Sequence, residues 1–156
     1  MDQENSSLIH KKNINIGFAA NTDQGLMVPV IKDADQKNLK EISQELFRLS
    51  EDARSGKIKL EDLQGGTFTI SSLGGFGGVG FTPIINPPEV AILGVARAQI
   101  RPIMIKGKFL PRLILPLSLS YDHRVIDGVG GIQFTTALKG LLESPELFLD
   151  EEVKNG

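Results

Sequence analysis

The 156-residue chain has no cysteine. Disulfides, thiolate metal sites and a cysteine nucleophile are therefore excluded, and any thiol in its chemistry has to come from a substrate or cofactor. Histidine is nearly absent as well: His10 and His123 are the two in the sequence. His10 lies in a polar N-terminal segment. His123 is thus the first candidate for proton chemistry, since histidine's ordinary pKa of about 6.5 lies nearest neutrality. With no thiolate and no second histidine in the body of the chain, no metal site is expected. No apolar run reaches the length of a membrane span. The acidic, polar start Met1–Asn5 lacks the apolar stretch of a signal peptide. Charge of one sign is missing too: Lys and Arg number 17, Asp and Glu 19, and the net charge is −2. That gives no footprint for nucleic acid or an anionic membrane. A chain that is 40% hydrophobic and 23% charged reads as a soluble single domain. The expected compartment is the cytoplasm, or the mitochondrial matrix for a eukaryotic protein.

What is present is a series of short apolar patterns separated by turn residues. Residues 1–11 are polar and read as a frayed start. Ile14, Ile16, Phe18 and Ala20 alternate with Asn15 and Gly17, which predicts a strand with the first set buried. Asp23-Gln24-Gly25 reads as a turn, and Leu26–Ile31 as a second strand of the same hairpin, with Pro29 marking an edge or irregularity. Asn38-Leu39-Lys40-Glu41 has the form of a capping box. Leu39, Ile42, Leu46, Leu49 and Ala53 follow at helical spacing, and Ser55-Gly56 closes that helix. Lys57–Leu63 reads as a short turn, Thr67–Ser71 as a strand, and Val90–Val95 as a buried strand. Ile100–Ile105 and the run from Phe109 form a hairpin turning at Lys106-Gly107-Lys108. The alternation Leu113, Leu115, Leu117, Leu119, Tyr121 predicts a strand leading up to His123. After Gly128 a helix carries Ile132, Phe134, Leu138, Leu141 and Leu142, and Pro145 breaks it. No repeat, linker or low-complexity segment interrupts the chain. Most connections join strand to strand, so the expected class is α+β: a two-layer sandwich with a mixed or antiparallel sheet and helices on one face.

Three motifs could carry chemistry. Gly75–Gly80 fits G-x-G-x-x-G, but the three prolines of 81–89 cannot open the helix that a dinucleotide site needs. The loop either turns tightly or lets a ligand approach the backbone closely. His123 with Asp127 is either a catalytic base with a supporting carboxylate or a histidine satisfied at a strand end. On the second reading Asp122 is a turn carboxylate and Asp127 a helix N-cap. Ser71 and Ser72 end a strand before glycines. The nucleophile-elbow pattern G-x-S-x-G is missing, which leaves an oxyanion-donating hydroxyl or plain turn chemistry.

Taken together, three segments are more specific. They are Gly65–Gly74 (GGTFTISSLG), Phe81–Gly94 (FTPIINPPEVAILG) and Leu117–Gly128 (LSLSYDHRVIDG). From about Ile14 to about Leu149 the chain resembles the catalytic domain of the dihydrolipoamide acyltransferase component of 2-oxoacid dehydrogenase complexes. Asn15-Ile16-Gly17, Gly25–Val30 and Ala53–Lys57 also resemble it. The Phe81–Gly94 wording is nearest the pyruvate (acetyl) branch, with acetoin-cleaving complexes close by. The resemblance implies a chloramphenicol acetyltransferase-like fold and a homotrimer that builds larger cores, with each active site between two subunits. It implies acetyl transfer from S-acetyl-dihydrolipoamide to coenzyme A. His123 would be the general base, Asp127 a supporting residue, and Ser71 the oxyanion donor from the neighbouring subunit. Asn21, Ser50, Ser72, Ala96 and Ala98 would line the coenzyme A tunnel. The lipoyl group would arrive on another domain or chain, and the decarboxylase and dihydrolipoamide dehydrogenase components would be partners. Residues 1–156 would then be the catalytic domain without its first part, with no lipoyl or subunit-binding domain. The alternative is a non-catalytic core fragment or inactive remnant of that component. Asn21 stands where the family more often has an acidic residue. The glycine-rich Gly128–Gly131 replaces a usually alanine-rich helix start.

Overall fold

A computed structural model describes residues 8–146. The earliest part of the polar start and Leu149, where the resemblance ends, lie outside the described residues. Five strands form the central sheet: β1 (Ile16–Phe18), β4 (Val30–Ile31), β5 (Phe68–Ser72), β6 (Ala91–Val95) and β9 (Leu117–Tyr121). Their order is β4-β1-β5-β6-β9. The β1–β5 and β5–β6 pairs are parallel, whereas β1–β4 and β6–β9 are antiparallel. Two ribbons stand apart from this sheet: β2 (Ala20–Thr22) with β3 (Gly25–Met27), and β7 (Gln99–Ile105) with β8 (Lys108–Ile114). The helices are α1 (Leu39–Arg54) and α2 (Gly128–Glu143). The α+β class and the mixed sheet are as expected.

The local rules work where the chemistry is local. Asn38 caps α1 by accepting from the Glu41 N–H at 2.9 Å, and Glu41 Oε2 accepts from the Asn38 N–H at 2.9 Å. Each bond satisfies an amide that the first turn leaves without a partner. Lys106 and Gly107 both take positive φ, 50° and 75°. This is the two-residue hairpin turn whose twist matches the strands it joins. Pro145 lies just beyond α2, which ends at Glu143.

Three expectations need correction. The hairpin of the first two predicted strands is split. Its core is β1 against β4, and the intervening β2–β3 ribbon folds away as a separate unit. The buried face of β1 is also the opposite one. Asn15 and Gly17 are buried, whereas Ile14 is exposed. Asn15 is held inside by specific bonds: its Nδ2 donates to Gly65 O at 2.8 Å and its Oδ1 accepts from the Asp33 N–H at 2.8 Å. Gly17 is needed for space, because a Cβ there would fall 2.8 Å from Thr69 Oγ1. Finally, the long alternation from Leu113 to Tyr121 is two strands. It breaks at Leu115-Pro116, because a proline cannot continue a ladder that requires its N–H.

The core is small and centred on β4 and β6. Val30, Ile31, Ala91, Ile92 and Leu93 are buried, together with Leu49 and Ala53 of α1. The helices cover less than their sequences suggest. Leu39 and Leu46 of α1 and Ile132, Phe134, Leu141 and Leu142 of α2 are exposed. Helix α2 lies across the sheet at Phe68, whose ring centroid is 5.6 Å from that of Phe134. It also meets Tyr121, which occupies the space left by the missing side chain of Gly131.

Candidate active site

His123 follows directly from β9. The Asp122 N–H donates to Val90 O at 2.8 Å, and the Val125 and Ile126 N–H groups return to Asp122 O, closing a turn. Asp122 receives the Arg124 guanidinium in a fork, with Nε and Nη2 at 2.9 and 2.6 Å from its two oxygens. These bonds hold its carboxyl at about 2, below the ordinary carboxylate range. A charge-assisted fork of this kind fixes the turn geometrically. The His123 side chain is exposed, and its ring lies beside that of Tyr121 with centroids 5.7 Å apart. Asp127 caps α2: its Oδ1 accepts from the Gly130 N–H at 2.7 Å. Within this chain the Asp127 carboxylate is thus committed to the helix.

Ser71 lies near the far end of β5. The ladder pairs it with Gly94, and Gly94 with Ser118. Its side chain shares the sheet face on which Phe81 and Pro83 pack against Gly94. His123 is five positions beyond Ser118, so at the usual rise it lies about 17 Å further along the strands and two strand spacings, about 10 Å, across. One chain therefore does not bring Ser71 and His123 together. Among the described residues, neither side chain has a hydrogen-bond partner in this chain.

The other candidates divide in the same way. Ser72 pairs with Val95. Ala96 follows β6, buried, with its N–H on Pro116 O, and Ala98 comes two residues later, exposed. Asn21 lies on β2, which follows β1 where the Ala19 N–H meets Ile70 O. These residues share the Ser71 end of the sheet. Ser50 is on α1, which packs against β2, and its hydroxyl turns back to Leu46 O at 2.7 Å. His123 and Asp127 occupy the opposite end.

The glycine loop leaves β5 at the Ser71 end. Gly77 and Gly78 have φ of 96° and 86°, which side-chain-bearing residues rarely adopt. A Cβ at Gly75, Gly77, Gly78 or Gly80 would meet nothing within 4 Å. The space beside these four glycines is open.

Sequence reasoning passed over two features. Glu89 is half-buried beside β5, where the fully buried Thr69 donates its hydroxyl to Oε2 at 2.7 Å. Burial raises the Glu89 carboxyl above its ordinary range, against the opposing bonds from Thr69 and Asn86 and the charge of Lys11. The signal was a carboxylate directly before an apolar strand. Glu89 opens onto a cleft of about 350 Å³ whose walls include Leu8, His10, Thr67 and Val125, but neither Ser71 nor His123. The second feature is Arg97, whose guanidinium donates to the loop carbonyls of Gly74 and Gly75. Among the described residues no three His, Cys, Asp or Glu side chains converge as metal ligands, and no helix is long and apolar enough to cross a membrane.

Comparison with known proteins gives a consistent result. Residues 1–149 match the family model described as 2-oxoacid dehydrogenases acyltransferase (catalytic domain). The dihydrolipoyllysine-residue acetyltransferase component of the pyruvate dehydrogenase complex of Cupriavidus necator is 57% identical over 139 residues, 89% of this chain and 25% of the relative. The same component of Buchnera aphidicola is 54% identical over 138 residues, 88% of this chain and 35% of the relative. Thus the chain spans about a quarter to a third of the length of these relatives. Among solved structures, Azotobacter vinelandii dihydrolipoamide acetyltransferase matches with a TM-score of 0.90 and 50% identity, over 94% of this chain and 60% of that one. It was solved to examine the role of a serine, a histidine and an asparagine in the catalytic mechanism. The cubic core of a pyruvate dehydrogenase multienzyme complex matches with a TM-score of 0.89 and 51% identity, with the same coverage.

Proposed function

The chain belongs to the family of 2-oxoacid dehydrogenase acyltransferase catalytic domains, and on that footing we propose that it transfers an acetyl group from S-acetyl-dihydrolipoamide to coenzyme A. Both thiols are brought by the substrates, which suits a cysteine-free chain. His123 takes the proton of the coenzyme A thiol as its sulfur attacks the acetyl carbonyl. Ser71 donates its hydroxyl hydrogen to the oxyanion that forms. The intermediate then expels the dihydrolipoamide sulfur, which recovers the proton from His123. General-base help of this kind contributes about 10²–10⁴-fold, and one oxyanion donor about 10²–10³-fold. Intervals along the sequence support these roles. In the Azotobacter enzyme the serine precedes the histidine, and the asparagine follows it, by the same intervals that separate Ser71, His123 and Asp127.

The observation that carries the reading is the separation of Ser71 from His123 across the sheet. Neither side chain has a hydrogen-bond partner among the described residues of its own chain, and each becomes useful when a second copy supplies the other half. The β7–β8 ribbon offers a surface for that copy. One of its faces consists of the apolar cross-strand pairs Ile100–Leu113, Pro102–Pro111 and Met104–Phe109, all six residues being exposed. The active form is accordingly a homotrimer or a larger core. Coenzyme A lies along Asn21, Ser50, Ser72, Ala96 and Ala98. The lipoyl group comes on another domain or chain, the decarboxylase and dihydrolipoamide dehydrogenase components are partners, and the complex works in the cytoplasm. The test is to mix two inactive variants, Ser71→Ala and His123→Ala. Mixed assemblies contain some sites with both residues intact, so acetyl transfer from free S-acetyl-dihydrolipoamide returns. Parental activity in either single variant overturns that residue's role, and two inactive variants that restore nothing on mixing overturn the shared site.

A second reading, a non-catalytic core fragment, is favoured by one observation: the exposed apolar side chains Leu39 and Phe47 on α1 and Val129 and Ile132 on α2. Sedimentation separates the two. A trimer or larger particle that binds coenzyme A supports the enzyme, and a monomer that does not bind it supports the fragment.

A further inference from the structure

The loop that leaves Ser71 and Ser72 is tied down by side chains from a different part of the chain. Arg97, just after β6, donates Nε to Gly74 O at 2.9 Å and Nη2 to Gly75 O at 3.2 Å. Gln99, the first residue of β7, donates Nε2 to Gly78 O at 3.3 Å. The loop's own backbone does little of this work. The Leu73 N–H reaches Val95 O at 3.0 Å and the Phe76 N–H reaches Leu73 O at 2.9 Å. Among the described residues, no other backbone bond holds 74–80. The start of the loop sits close on this anchor: a Cβ at Gly74 would be 3.8 Å from Ala96 O and 3.9 Å from the Cα of Arg97. The far end is held at Phe81 and Pro83, against Gly94, the ladder partner of Ser71.

A glycine-rich segment loses more conformational freedom on being fixed than any other. Left alone, 74–80 would fray back toward the end of β5. A planar guanidinium meeting two successive carbonyls fixes both the position and the direction of the chain, which the single point charge of a lysine does less well. From this we propose that Arg97 is a positioning residue for Ser71: by clamping Gly74 and Gly75 it sets how the chain leaves β5, and so where the Ser71 hydroxyl points. The proposal rests on the acyltransferase reading, because it is Ser71's role as oxyanion donor that makes its orientation matter. Gln99 is the second, weaker clamp.

The experiment is a double-mutant cycle in acetyl transfer with the full chain: parent, Arg97→Ala, Ser71→Ala and the double variant, with Arg97→Lys alongside. Arg97→Ala should lower kcat roughly 10- to 100-fold, the scale on which a small misplacement of a reacting group costs rate, with KM for coenzyme A changing less than about threefold. In the Ser71→Ala background the same substitution should cost almost nothing, because the group it positions is gone. Arg97→Lys should recover part of kcat. Hydrogen exchange at the bonded amides of Leu73 and Phe76 should quicken in Arg97→Ala. Additive losses in the cycle, or a loss confined to KM, overturn the proposal and make Arg97 a substrate-binding or general structural residue. Unchanged exchange at Leu73 and Phe76 overturns the clamp itself. A parent chain that transfers no acetyl group refutes the acyltransferase reading and the catalytic part of the proposal together, whereas an active parent with an equally active Arg97→Ala refutes the proposal alone.

Discussion

Replacing Asp127 by asparagine and by alanine separates the cap of α2 from any chemical role of the carboxylate. Oδ1 of Asp127 accepts from the Gly130 N–H at 2.7 Å, and the first turn of α2 holds Gly128, Gly130 and Gly131. Each helical glycine costs about 1 kcal/mol relative to alanine, so this helix begins weakly and depends on its cap. Removing the cap in Asp127→Ala should cost about 1 kcal/mol, and loss of the negative charge at the helix N-terminus adds roughly 0.3–1 kcal/mol. Asp127→Asn keeps an acceptor and loses only the charge, so its cost stays below about 1 kcal/mol. For a chain of this size that is a fall in Tm of about 3–8 °C for alanine and under about 4 °C for asparagine. Thermal unfolding followed by circular dichroism reads this difference. Acetyl transfer supplies the second axis. If Asp127 serves the site by starting α2 in the right place, Asp127→Asn keeps activity near that of the parent. The asparagine at the corresponding interval in the Azotobacter enzyme fits that outcome. Suppose instead that Asp127→Asn lost as much activity as Asp127→Ala while keeping a near-parental Tm. The charge would then act on His123 directly, and the capping argument would fail as an account of function.

Other predictions concern the buried and paired carboxylates. Thr69→Val leaves Glu89 without its buried donor and should destabilise the fold by about 1–3 kcal/mol, measured by urea denaturation. Glu89 has a folded pKa above its ordinary 4.5, so the folded state binds more protons between the two values. Its contribution to stability is therefore greatest below about 4.5 and falls as pH rises through the raised value. Glu89→Gln should remove that fall; an unaltered pH slope would show that Glu89 is not its source. Asp122 runs the other way: the stabilisation from its pairing with Arg124 is present above about 3.8 and is lost as pH falls toward its folded value of about 2. In Arg124→Gln the Asp122 titration followed by NMR should return to the ordinary carboxylate range, and a midpoint still near 2 would assign the shift to something other than the guanidinium.

Much of the local architecture is legible because its causes are local. A side chain three residues from an amide caps α1 at Asn38 and Glu41. Lys106-Gly107 turns the β7–β8 hairpin through backbone angles that glycine readily adopts. The apolar run before Val95 needs a buried strand wherever it lands. Residue type brings forward His123, Asp127 and the pair Ser71-Ser72 as candidates, and the resemblance to the acyltransferase family is what selects Ser71 and gives the three their roles. Other features depend on what arrives from elsewhere. The inward turn of Asn15 is decided by Gly65 and Asp33, which lie 50 and 18 residues away, so alternation along β1 alone points to the wrong face. The Leu113–Tyr121 alternation does not show that Pro116 divides the ribbon from the central sheet. Arg97 has no distinguishing spacing; its purpose appears only when two loop carbonyls stand in front of it.

The sequence by itself therefore determined which chemical groups are available: one histidine in the body of the chain, no thiol, and hydroxyls ahead of a glycine loop. Tertiary structure decided their relation. Parallel pairing of β5 with β6 and antiparallel pairing of β6 with β9 send Ser71 and His123 to opposite ends of one sheet. Strand direction is a property of the ladder rather than of any residue, so composition and spacing do not show the separation; from the sequence, only the family resemblance implied a site shared between two copies.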